Sequence, residues 1–95
     1  MPTFVMLSTL GPDGFATLNE NPHRLEVVNE EVEALGVRIL HQYGLLGEYD
    51  FLTVVEAPDN ATMATLATRL AARGTLKTRT IATVDVADLI AALES

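Results

Sequence analysis

Apolar positions along this chain alternate between a period of two and a period near 3.6, and the changes of period mark out its elements. Thr3 to Leu10 is rich in β-branched and apolar residues and runs into Gly11-Pro12, which predicts a strand with a clear stop. Phe15 and Leu18, three apart, predict one short helical turn. Asn21 as a cap and Pro22 at the first helical position predict the start of a longer helix. Leu25, Val28, Val32 and Leu35 supply its apolar stripe, and Gly36 supplies its left-handed stop.

The period then returns to two. Val37 to Leu46 predicts a second strand, with Val37, Ile39, His41 and Tyr43 on one face and Arg38, Leu40 and Gln42 on the other. Gly47 to Asp50 predicts a turn, and Phe51 to Ala57 a third strand paired with the second as an antiparallel hairpin. Pro58-Asp59-Asn60 breaks that strand and caps a helix with Met63, Leu66, Ala67, Leu70 and Ala71 as its stripe, ending at Gly74. Thr75 to Val84 predicts a Thr-rich fourth strand. Asp85 caps a short final helix with Val86, Leu89, Ile90 and Leu93 on one face.

This order predicts an α+β fold, the ferredoxin-like βαββαβ arrangement, as one domain over residues 1–95. Its four-stranded antiparallel sheet runs fourth, first, third, second. Right-handed crossovers place both main helices on one face, and residues 84–95 add a C-terminal helix. The central strands carry large apolar groups on both faces: Phe4, Met6 and Leu10 against Val5 and Leu7, and Phe51 and Val55 against Leu52 and Val54. Helices cover only one of those faces. The other needs a cover, because large exposed apolar patches are rare on stable monomers. A second subunit packing on the open sheet face is the simplest one, so a homo-oligomer is expected. The terminal helix competes, either folding across that face or swapping onto a neighbour.

Composition narrows the function. About half of the 95 residues are apolar, and the net charge is -7. An acidic chain whose six basic residues are scattered repels polyanions, so no nucleic-acid partner is expected. The absence of cysteine excludes a disulfide scaffold, a thiolate metal site and a cysteine nucleophile. No basic leader and no run near the ~20 apolar residues of a membrane span is visible, so a cytoplasmic protein without a membrane partner is expected.

Three groups of residues are candidates for chemistry. In the Gly47–Asp50 hairpin, Tyr49 is a candidate proton donor and Asp50 a candidate base. The plainer alternative is a turn in which Asp50 bonds local backbone. His41 and Tyr43, about 7 Å apart by strand rise, are candidate acid–base groups if their face is the open one. The alternative is an edge-strand or interfacial pair. Lys77 and Arg79 share a face of the fourth strand and are candidates for holding an anionic ligand or a partner's carboxylate. Protection of a strand edge by charge is the alternative. His23, early in its helix, reads as solvent-facing. Two histidines and scattered carboxylates show no metal-ligand spacing, so neither a metal nor a cofactor is expected. No nucleophile elbow or Gly-rich phosphate loop is present.

The hairpin Gly47-Glu48-Tyr49-Asp50, leading into Phe51 to Asp59, resembles the signature of the GYD-domain family. Met1-Pro2-Thr3-Phe4-Val5 is similar to the usual start of its members, and Asn21-Pro22-His23-Arg24 resembles the Pro-x-Arg step that opens their first long helix. The resemblance covers residues 1 to about 84, the tail matching less well. It implies a ferredoxin-like fold related to the dimeric α+β barrels, which include cofactor-free monooxygenases, cyclases and haem-handling enzymes. Fold analogy carries no function across. Two expectations stand together. One is an oligomeric module for protein interaction or small-ligand binding. The other is a cofactor-free enzyme acting on a small apolar substrate between sheets, with His41, Tyr43, Tyr49 and Asp50 as its acid–base groups.

Overall fold

The computed structural model describes residues 1–74 and 76–95, apart from the side chain of Pro12. The strands are β1 (Thr3–Leu10), β2 (Arg38–Gly44), β3 (Phe51–Glu56) and β4 (Leu76–Ala82). The helices are α1 (Pro12–Glu20), α2 (Arg24–Ala34), α3 (Asn60–Ala72) and α4 (Val86–Glu94). All strand pairs are antiparallel, in the order β2-β3-β1-β4. The fold is the ferredoxin-like α+β arrangement with an added C-terminal helix. Thr75, the expected first residue of the fourth strand, lies outside the described residues.

Local chemistry places most boundaries. Asp59 Oδ1 accepts hydrogen bonds from the Thr62 amide and hydroxyl, both at 2.8 Å, and so caps α3. Asp85 Oδ1 accepts from the Ala87 amide at 2.9 Å and caps α4. Gly36, at φ 86°, supplies the left-handed step after α2. The core lies between the sheet and its helices, where Phe4, Met6 and Val55 meet Val32 of α2 and Met63, Leu66 and Leu70 of α3.

Most element ends shift by one or two residues from expectation, the fourth strand stopping at Ala82 rather than Val84, and three differences are larger or have a clear cause. The single turn expected around Phe15 is a nine-residue helix, α1, with Pro12 at its start. Gly14, Thr17 and Asn19 are poor helix formers and mask it in the sequence. Its Phe15 is exposed and Leu18 half-buried. The next helix begins at Arg24 rather than Pro22, and no side chain caps it. Asn21 offers its backbone carbonyl to the Arg24 amide instead, at 3.0 Å, in a tight turn that precedes the helix. The second strand stops at Gly44, because Leu45 already belongs to the hairpin loop, its amide donating to the Asp50 carbonyl at 2.8 Å.

A larger difference lies inside β2. Ile39 pairs with Val55, but His41 pairs with Val54, so Leu40 is the extra residue of a β-bulge. The expected single face of Val37, Ile39, His41 and Tyr43 is therefore divided. Val37 and Ile39 pack on the helix-covered side. His41 and Tyr43 lie on the open side, opposite Val54 and Leu52. Gln42 moves to the covered side, opposite Thr53, and Arg38 takes the open side, opposite Glu56.

α4 buries none of its residues against its own chain: all of them are exposed, including the whole apolar stripe. The molecule measures 53 × 28 × 19 Å, and its Cα radius of gyration is 14.7 Å. A compact chain of this length has one of about 12.4 Å. Among the described residues no helix is long and apolar enough to cross a membrane.

Candidate functional site

The open face of the sheet gathers four of the six candidate residues. Strand register sets its rows. One row runs His41–Val54–Val5–Ile81, and the next runs Tyr43–Leu52–Leu7–Arg79, with Lys77 beyond it opposite Thr9. The bulge at Leu40 is what brings the aromatic pair to this face. The rings of His41 and Tyr43 stack, with centroids 6.3 Å apart and planes 14° from parallel. Tyr43 is 55% exposed and Ile81 43%, while Val5, Leu7, Leu52 and Val54 are half-buried by their neighbours in the sheet. The middle of this face is apolar, and its margins carry Arg38, Lys77 and Arg79. Adjacent strands lie about 4.8 Å apart, so Tyr43 on one edge and Arg79 on the other are ~14 Å apart and do not form one small-molecule site.

Tyr49 and Asp50 sit apart from that face, in the β2–β3 loop. Gly47 opens the loop at φ 117°, a backbone region that L side chains rarely adopt. Asp50 is tied to backbone on three sides. Its carboxylate accepts from the Leu10 amide at 2.8 Å, its amide donates to the Ser8 carbonyl at 2.8 Å, and its carbonyl accepts from Leu45. The loop is thereby fastened to the end of β1. A carboxylate holding a backbone N–H at this distance has one lone-pair region committed to structure. Tyr49 is half-buried beside it.

The covered side of the sheet holds a cavity of about 430 Å³. Its floor comes chiefly from β1, β3 and β2, and its walls from α1, α2 and the end of α3. None of the candidate acid–base residues is among the described residues that line it. Sequence reasoning misses it because Ser8, Thr53, Gln42 and Asn29 are separate polar residues until register and helix packing bring them together. Among the described residues, no three His, Asp or Glu side chains cluster as metal ligands would.

The profile of the GYD domain matches residues 4–93. The likeness therefore runs through α4, beyond the stretch that the motifs along the sequence cover. A protein of Thermus thermophilus, the glutamine synthetase and cystathionine beta-lyase binding protein, is 54% identical over 95 residues, which cover 99% of this chain and 100% of the relative. The chain belongs to the GYD-domain family.

Proposed function

We propose that this protein is a small interaction module that self-assembles through its open sheet face and, once assembled, docks metabolic enzymes. The observation that carries the reading is apolar surface without a partner, in the α4 stripe and in the middle of the open face. The chain exposes 6392 Å². A compact monomer of 10.2 kDa exposes ~5,300 Å². The excess of roughly 1,100 Å² exceeds the ~800 Å² that one partner contributes to a standard stable interface.

Shape and charge favour α4 of one copy lying across the open face of a second copy. Nine residues at ~1.5 Å each make α4 about 14 Å long, the same as the width of four strands. From Thr80 onward the chain carries Asp85, Asp88 and Glu94 and no Lys or Arg. The open face holds Arg38, Lys77 and Arg79, half of the chain's six basic residues. An exchanged helix would cover both apolar surfaces and set opposite charges together. On this reading Lys77 and Arg79 hold the carboxylates of a partner copy, His41 and Tyr43 are interface residues, and Asp50 is structural.

Docking of enzymes is supported by the relative, whose name states that it binds glutamine synthetase and cystathionine beta-lyase. A cysteine-free acidic chain also suits a reducing cytoplasm. Sedimentation velocity of the full chain tests assembly, with an oligomer expected and a clean monomer overturning it. Biolayer interferometry against purified glutamine synthetase and cystathionine beta-lyase tests docking. Saturable binding to at least one is expected, and no binding to either overturns that half of the reading.

A further inference from the structure

The cavity on the covered side is independent of the open face, and its lining has a consistent chemistry. Most of it is aliphatic, with Met6 and Leu10 from β1 and Leu25, Val28 and Val32 from α2. A core-facing sheet row is ordinarily apolar throughout. Here the row changes character. Ser8 and Thr53 are both buried on this side, Thr53 opposite Met6 and so diagonal to Ser8. Gln42 donates to Thr53 Oγ1 at 3.3 Å and is paired reciprocally with Asn29 of α2, at 2.8 and 3.3 Å. Two hydroxyls and two amides thus converge on an apolar space of a size typical for small-molecule sites.

The charge of the lining is the second observation. In a chain of net charge -7, no acidic residue lines this cavity among the described residues, and two arginines do, Arg24 and Arg73. Arg73 is taken by an ion pair with Glu31. Among the described residues Arg24 pairs with no carboxylate. An apolar body that enters this space displaces water from its aliphatic walls favourably.

We propose that this cavity binds a monocarboxylic acid with an apolar body. The aliphatic portion packs against Met6, Leu25, Val28 and Val32. The carboxylate meets the Arg24 guanidinium, and the Ser8 and Thr53 hydroxyls serve a polar group on the body. One guanidinium without a glycine-rich loop suits a carboxylate and is too little for a phosphate dianion.

Isothermal calorimetry on the full chain tests this, with octanoate as the probe and octylamine and octanol as controls of equal length. Saturable binding of one octanoate per protomer is expected, with octylamine not binding and octanol at least about tenfold weaker. Arg24→Gln, at an exposed position, is expected to weaken octanoate about tenfold and leave the melting temperature unchanged. Val28→Trp is expected to abolish binding by filling the space, and its melting curve reports separately whether it folds. No saturable octanoate binding, amine or alcohol binding as tight as the acid, or wild-type affinity in Arg24→Gln each overturns the proposal. None of these readouts depends on whether the open face assembles.

Discussion

The Asp50 carboxylate accepts the Leu10 amide hydrogen across forty positions of sequence, at 2.8 Å, and this bond fastens the β2–β3 loop to the end of the central strand β1. Asp50→Ala leaves a half-buried N–H without its partner, so a loss of about 1–2 kcal/mol is expected in urea unfolding. Asp50→Asn keeps an acceptor oxygen and is expected to lose less. Equal stability of wild type and Asp50→Ala would show that the bond contributes nothing.

Gly47 lies in the same loop at φ 117°, and a Cβ there would meet nothing within 4 Å. The cost of Gly47→Ala is therefore one of backbone conformation alone, about 1–3 kcal/mol. Gly44 is equally open and has no positive φ, so Gly44→Ala is the control and is expected to be neutral or slightly stabilising. Thermal melts of the two variants check the contrast.

If α4 seats on a neighbour's sheet, a charge within its stripe should separate the copies. Leu89→Asp is expected to shift sedimentation toward the monomer without unfolding the domain, since Leu89 is exposed and lies outside the buried core of its own chain. Lys77→Glu with Arg79→Glu is expected to weaken assembly as well. Assembly of the wild type should be weaker in high salt, because the charges lie at the margin of the interface.

Asp59 gives the fold a dependence on acid. Bonds from the Thr62 amide and then the Thr62 hydroxyl hold its carboxyl below the ordinary carboxylate value. A group depressed in the folded state contributes stability that is present above its unfolded value and lost as pH falls through its folded value. Asp59→Ala is therefore expected to melt below wild type at neutral pH, and the gap should close in strong acid. A gap independent of pH would show that the cap's charge plays no part.

Much of the fold is legible along the chain. The β-branched and apolar runs of β1 and β3, the Met63–Leu66–Leu70 stripe and the caps at Asp59 and Asp85 are local patterns, and the elements appear where those patterns place them. The sequence foreshortens α1 because Gly14, Thr17 and Asn19 are weak helix formers that interrupt its pattern. The two-sided apolar strands announce an open face, but alternation alone assigns its occupants wrongly, because β2 does not alternate throughout.

Residue type and spacing within a few positions settle the order of the elements, the two-sided apolar character of the central strands and the acidic, cysteine-free composition. The remaining features arise only when distant segments meet. One inserted residue, Leu40, sends His41 and Tyr43 to the open face and Gln42 to the cavity, because a strand's side-chain period is two and a single-residue slip exchanges its faces. The bond from Leu10 to Asp50, the row from Ser8 to Asn29 and the exposure of α4 likewise join or separate residues far apart in the chain, and their relation exists only once the strands have paired.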